Sequence, residues 1–168
     1  MDDLVQWLRA QLDEDERIAR ASVEQASVNL AGAEPSSVSV WHVVDRPATG
    51  TFVATRDQWE RVAEVVPTYG GAHADHIATH DPERVLREID AKRQLLDDFL
   101  AEPHFHNEED NWYTCAALVD EDGEPVCIDE SRAPGPCDCG RDRRVRRRVA
   151  ILALPYADRP GYRPDWRP

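Results

Sequence analysis

The residues of this chain best suited to chemistry are its four cysteines. Cys115 and Cys127 lie in two short apolar stretches, and Cys137 and Cys139 follow within the sequence PCDCG. Four thiols within 25 residues can bind one structural zinc ion tetrahedrally, which would fasten this segment to the helix that follows. One C-x-C pair with two separate cysteines differs from the spacing of a standard zinc knuckle, so reduced, partly buried thiols are the alternative.

Two groups of histidines extend the metal hypothesis. His104 and His106 are separated by one residue and would share one side of a strand, so either could replace a thiol as a ligand. His73, His76 and His80 are three and four residues apart and would project from one face of a helix, as in a metal-dependent enzyme. The chain lacks the glutamate of the zinc-protease motif at this point. We therefore favour hydrogen-bonding or capping roles and keep the enzyme as an alternative.

Helical periodicity predicts the elements that position these residues. A central helix over 81–101 begins at Asp81 and Pro82, which suit the cap and the first helical position. Apolar residues at the same spacing predict a first helix over 1–31, ended by Gly32. The two amphipathic helices would pack side by side and bury their apolar stripes.

A small sheet is predicted over 38–66. Residues 38–44 alternate in the manner of a strand, and 51–55 can pair with them across the turn 47–50 to form a hairpin. The run 59–66 fits both a helix and a strand. We favour a strand because a proline and a pair of glycines end the run abruptly.

A second hairpin is predicted within an acidic, cysteine- and histidine-containing insertion over 104–140. Its arms would be 112–119 and 124–128, joined at Asp122 and Gly123, a pair that readily adopts positive φ.

The last helix and an aromatic tail are predicted to occupy 142–168, with Asp142 as the helix cap. Prolines punctuate the tail, which excludes an ordinary helix or central strand. We expect an extended segment whose rings, those of Tyr156, Tyr162 and Trp166, dock on the helices. A peptide that recognises a partner is the alternative.

The net charge of -13 bears on the partners of the chain. No Lys or Arg lies between Gln94 and Ser131, whereas six arginines crowd into 141–148. We expect these arginines to pair with the acidic stretch or to be solvated, and direct nucleic-acid binding is disfavoured because the overall charge repels polyanions. With no membrane-length apolar run and an acidic start, the chain is expected in the cytoplasm.

Three stretches together resemble a family of small proteins of unknown function from high-GC Gram-positive bacteria and their phages. They are DDLVQWLRAQLDEDERIAR, HIATHDPERVLREIDAKRQLLDD and VAILALPYADRPGYRPDWRP. The resemblance implies a cytosolic protein with a single domain and three helices, and members often carry cysteines near the last helix, which Cys115, Cys137 and Cys139 resemble. It implies no substrate.

The sequence therefore predicts one α+β domain over 1–168. Three main helices would pack with two small antiparallel hairpins and the extended tail. The leading functional hypothesis is a non-enzymatic interaction or regulatory protein, stabilised by zinc, that binds a protein partner. The alternatives are the metal-dependent enzyme at His73, His76 and His80, and an acidic mimic of nucleic acid that occupies a DNA-binding protein.

Overall fold

A computed structural model describes residues 1–46, 50–68 and 70–168. The described residues form five α-helices and a three-stranded antiparallel sheet, which confirms the α+β class. They form two compact units, one made of Met1–Leu8 with Gln94–Pro168 and the other of Arg9–Arg93. The single domain expected over 1–168 stays a prediction.

The helices and strands are, in chain order, α1 (Asp2–Asn29), α2 (Pro35–Val38), β1 (Trp41–Arg46), β2 (Gly50–Arg56), β3 (Val62–Pro67), α3 (Gly71–Thr79), α4 (Pro82–Ala101) and α5 (Arg141–Ala153). Three 3₁₀ turns lie at Asn111–Tyr113, Leu154–Tyr156 and Pro164–Trp166. The three predicted helices are α1, α4 and α5, and the short α2 and α3 add to them.

Within the Arg9–Arg93 unit, α1 and α4 carry the apolar stripes that the sequence predicted. Leu12 on α1 and Ile89 on α4 are buried. The guanidinium of Arg93 lies 2.6 Å from an Asp13 oxygen and 2.7 Å from a Glu16 oxygen. The four acids at 13–16 lie within α1, and two of them bind a cation on α4.

The sheet has the order β1-β2-β3 with β2 in the centre. Val53 lies opposite Val43 on β1 and Val66 on β3, so the first hairpin is confirmed, while its turn at 47–49 lies outside the described residues. The strand interpretation of 59–66 is confirmed for Val62–Pro67. Helix α3 packs on β1 and β2, and four consecutive residues of β2, Phe52 to Thr55, are buried.

The second predicted hairpin forms only next to its turn, and its long arms are not strands. Only one bridge, between Val119 and Pro125, joins its two arms, and residues 112–113 lie in a 3₁₀ turn whose cap is Asp110. Asp120 N donates to Glu124 O at 2.9 Å and Val126 N donates to Leu118 O at 3.0 Å, so the arms pair only next to the turn. The N–H of Cys115 instead donates to Phe105 O at 2.9 Å, so the first arm pairs with the chain ahead of it.

The last helix begins one residue earlier than predicted, with Gly140 as its N-cap at φ 78° and Asp142 in its first turn. The aromatic tail docks as expected, with Tyr156 and Trp166 buried. The Trp7 indole N–H donates to Pro160 O at 3.1 Å, and the ring centroids of Trp7 and Trp166 are 5.5 Å apart. Two 3₁₀ turns interrupt the tail, so it is not uniformly extended.

Candidate metal centre

The segment between α4 and α5, residues 102–140, is here named the cysteine loop. All of it is described, and it holds no α-helix and no strand beyond the single bridge. It brings together four side chains that can bind a metal, His104, Cys115, Cys137 and Cys139, whose donor atoms all lie within 4.8 Å of one another.

Local backbone contacts explain how residues distant in sequence meet here. The hydrogen bond from Cys115 N to Phe105 O places Cys115 beside His104, and their Sγ and Nδ1 atoms are 3.5 Å apart. The backbone N–H of Phe105 lies 3.5 Å from Cys139 Sγ and donates to it. Two separate stretches of the loop thus converge on His104 and Phe105.

The donor spacing fits zinc. With Zn–S bonds of about 2.3 Å and Zn–N bonds of about 2.0–2.1 Å, a tetrahedral ion separates its ligand atoms by roughly 3.5–3.8 Å. Cys137 Sγ and Cys139 Sγ are 3.6 Å apart, and Cys139 Sγ is 3.8 Å from His104 Nδ1. Three thiols and one imidazole form a Cys₃His set, which is a common structural zinc site.

The pKa values of the Cys139 and Cys115 thiols are shifted in opposite directions. Burial would raise the pKa of Cys139, but the backbone N–H groups of Phe105 and Arg141, together with His104, lower it to about 6. Burial raises the pKa of the Cys115 thiol. Metal binding needs thiolates, so the donors around Cys139 already favour the ligating form, whereas Cys115 would give up its proton on binding.

The first turn of α5 completes the surroundings of His104. The Nε2 atom of His104 lies 3.8 Å from an Asp142 oxygen, on the side of the ring away from Cys139. The distance is longer than a hydrogen bond, but the negative charge still favours the tautomer with its proton on Nε2, which leaves Nδ1 free to ligate. Arg141 ties the same turn to the end of α4 by donating to Leu100 O at 2.5 Å and to Glu102 O at 2.7 Å.

A second set of contacts holds the cysteine loop from within. Arg132 binds Asp129 at 2.9 Å and Asp138 at 2.6 Å, and the N–H of Ala116 donates to Asp138 at 3.2 Å. The pKa of Asp129 is lowered, chiefly by hydrogen bonds from Ser131 and Arg132, and the pKa of Asp138 is lowered as well. Both aspartates are therefore charged at neutral pH.

Two predicted ligands lie outside the cluster. Cys127 is buried, but its thiol faces Trp112 O at 3.8 Å and the Arg132 guanidinium at 3.3 Å. His106 lies 3.3 Å from the Asn111 side-chain oxygen. His104 therefore completes the set in which the sequence placed Cys127.

The three histidines of the enzyme alternative lie on or next to α3. His80 Nδ1 is 2.8 Å from His76 O, and the two rings are 4.5 Å apart. Within the part of the chain that the structure describes, these histidines belong to no group of three or more metal-binding donors.

The comparisons with known proteins give a family. The profile of a family of unknown function, DUF6221, matches residues 1–168. The chain belongs to this family. The resemblance to a family of unknown function is thus confirmed, while its bacterial and phage origin stays a prediction. No curated protein and no solved structure matches the chain significantly. Among the described helices, none combines the length and apolarity that crossing a membrane requires.

Sequence reasoning missed the residues that support the cluster. Asp142 was interpreted as a helix cap, and Arg132 and Asp138 were passed over. Asp138 carried a usable signal because it lies between two candidate ligands, where a short polar side chain often binds the loop backbone. Arg132 carried none, since its partners depend on the folded path of the loop.

Proposed function

We propose that the chain is a non-enzymatic interaction protein whose cysteine loop is held in place by one structural zinc ion. The observation that carries the proposal is the convergence of four protein donors within 4.8 Å, with three of their pairs 3.5–3.8 Å apart; the donors are His104, Cys115, Cys137 and Cys139. Catalytic zinc sites keep one position for water or substrate, whereas four protein ligands close the coordination shell. A structural role follows from this closed set.

The loop also needs the stabilisation that a metal supplies. Residues 102–140 lack α-helix and strand ladders, so few backbone hydrogen bonds oppose the entropy of ordering them. Binding of a metal to preassembled thiolates and imidazole contributes folding free energy directly. The free thiols that the site requires are those of a reducing compartment, which supports a cytoplasmic location.

Metal analysis of the purified protein tests the proposal. We expect near-stoichiometric zinc in the wild type, loss of zinc in Cys137→Ser, and full retention in the matched control Cys127→Ala, which removes a buried thiol outside the cluster. Replacing the zinc with Co²⁺ should give the strong sulfur-to-metal absorption of a thiolate-rich tetrahedral site, and this measurement applies even if Cys137→Ser does not fold.

The same experiment separates the enzyme alternative. If His76→Ala removes the metal and Cys137→Ser keeps it, the ligands are the α3 histidines and the proposal is wrong. A wild-type protein that binds neither zinc nor Co²⁺ in reducing buffer contradicts both readings.

A further inference from the structure

We infer that the cysteine loop presents a docking surface for a basic, amphipathic segment of another protein. The inference deepens the proposed function and rests on it, because the zinc site would hold the loop in the docking conformation. It assigns the partner by chemistry, as a segment that combines arginine or lysine with aliphatic side chains.

The first observation is exposed apolar area. Five large apolar side chains of the loop are between 48% and 65% exposed, namely Phe105, Trp112, Tyr113, Val119 and Ile128. Single exposed apolar residues are ordinary on a protein surface, but several from one short segment indicate an interaction site. Trp and Tyr are also the residue types most enriched at the energetic centres of protein interfaces.

Backbone contacts place four of these residues, Phe105, Trp112, Tyr113 and Ile128, in one part of the fold. Cys115 N binds Phe105 O, and Trp112 O accepts from both Arg132 and the Cys127 thiol, next to Ile128. Three stretches of the loop are therefore direct neighbours, namely 104–106, 111–115 and 126–132. Their exposed side chains emerge from a single loop cluster.

The second observation is uncompensated negative charge around these residues. Eight acids of the loop are exposed: Glu108, Glu109, Asp110, Asp120, Glu121, Asp122, Glu124 and Glu130. Across the described ranges, no ion pair joins any of the eight to a basic side chain. Asp110 and Asp120 accept only backbone N–H groups.

Three arginines of the same unit bind other acids. Arg144 and Arg148 bind the two Glu102 oxygens at 2.8 and 2.5 Å. Arg132 binds the buried Asp129 and the ligand-flanking Asp138. The pairing expected between the arginine block and the acidic stretch thus forms at Glu102, and the eight exposed acids keep their charge for a partner.

These observations favour a basic amphipathic partner. Exposed carboxylates in the same loop as exposed apolar side chains attract basic segments and repel nucleic acid and acidic proteins. The apolar residues supply the area that water leaves on binding, which charge alone does not provide. We therefore expect binding to need both the carboxylates and the apolar side chains.

The test measures the binding of three labelled peptides to the whole chain. Fluorescence anisotropy reports the binding at low and at high salt. The probe is a helical peptide with arginines on one face and leucines on the other. One comparison peptide carries glutamates in place of the arginines, and the second carries serines in place of the leucines. We expect the probe to bind and both comparison peptides to bind far more weakly.

Variants of the protein assign the binding to the loop. Trp112→Ser should weaken probe binding by on the order of tenfold to thirtyfold, the effect typical of an aromatic residue at an interface centre. Neutralising Glu108, Glu109, Glu121 and Glu124 to Gln should weaken it at low salt and much less at high salt. The matched controls Trp59→Ser and Glu64→Gln change an exposed tryptophan and an exposed acid of the Arg9–Arg93 unit and should leave binding unchanged.

Several results would overturn the inference. If the zinc-loaded protein does not bind the probe, the docking inference is wrong and the zinc proposal is unaffected. Binding that depends on the glutamates but not on Trp112 indicates a mimic of nucleic acid by charge alone. If the molecular mass in solution rises with protein concentration and the probe does not bind, the surface is an interface between two copies of the chain. Conversely, probe binding by a protein that never contains metal upholds the surface and rejects the zinc site.

Discussion

The three-stranded sheet and the cysteine loop obtain their order in different ways. In the sheet, β2 is paired on both sides and buried through four consecutive residues, so order comes from the repeated backbone ladder and from apolar burial. In the cysteine loop, order comes from a few side chains, chiefly the Cys₃His cluster and the Arg132 contacts. A ladder distributes its stabilisation over many equivalent bonds, whereas the loop concentrates it in a handful of groups.

This difference has a chemical consequence. The sheet responds to changes that remove apolar volume, and the loop responds to changes in ligands, protons and oxidation state. Each of the following predictions changes one kind of support and measures the response.

The largest effect is expected from Phe52→Ala in β2. The side chain is 3% exposed, so its removal leaves a cavity and should lower the free energy of unfolding by about 3–5 kcal/mol. Urea denaturation measures the change, and metal content measured on the folded fraction should stay at the wild-type value. The exposed Val65→Ala on β3 is the control and should change stability little. Loss of metal in Phe52→Ala would show that the two kinds of order are not separate.

A smaller effect is expected from Asp142→Asn, which keeps the shape of the side chain but removes the carboxylate near His104. Loss of such an orienting carboxylate typically weakens metal binding by about 10–100-fold. Competition with a coloured chelator measures the affinity, and Asp122→Asn, an exposed acid at the far turn of the loop, is the control. Equal affinities in wild type and Asp142→Asn would remove Asp142 from the site.

The smallest effect concerns the ends of the loop, where Glu102 binds Arg144 and Arg148. The hydrogen bond from Arg144 holds the pKa of Glu102 below its ordinary range. A lowered folded-state pKa stabilises the protein above the ordinary glutamate pKa of about 4.3 and loses that contribution as the pH falls further. The melting temperature of Glu102→Gln should therefore lie below that of wild type near neutral pH and converge with it in acid. A constant difference across this range would mean that the pair carries no charge-dependent stabilisation.

The sequence predicted the elements whose order is periodic. Leu12 and Ile89 lie on stripes that repeat every three to four residues, and such stripes identify helices without knowledge of what they pack against. The first hairpin and β3 followed from alternation and from the residues that end the run. These features depend on local pattern, which a sequence displays directly.

The cysteine loop could be predicted only in part. The chemistry of three thiols was visible, but the choice of His104 over Cys127 depends on the hydrogen bond between Cys115 and Phe105, which joins positions ten residues apart without a periodic signal. The second hairpin is shorter than predicted for a related reason. An Asp-Gly turn does form near Val119, yet residues 111–113 form a 3₁₀ turn and Cys115 pairs with Phe105, so the ladder ends after one bridge.

The contact between Trp7 and the tail has a consequence for how the chain folds as it is synthesised. Trp7 donates to Pro160 across 153 positions, and its unit joins Met1–Leu8 to Gln94–Pro168. The residues of the other unit, Arg9–Arg93, leave the ribosome as one continuous stretch and can assemble early. Residues 1–8 can complete their packing only after residues 94–168 have been made, because their unit is formed with those residues. Such non-local contacts slow folding.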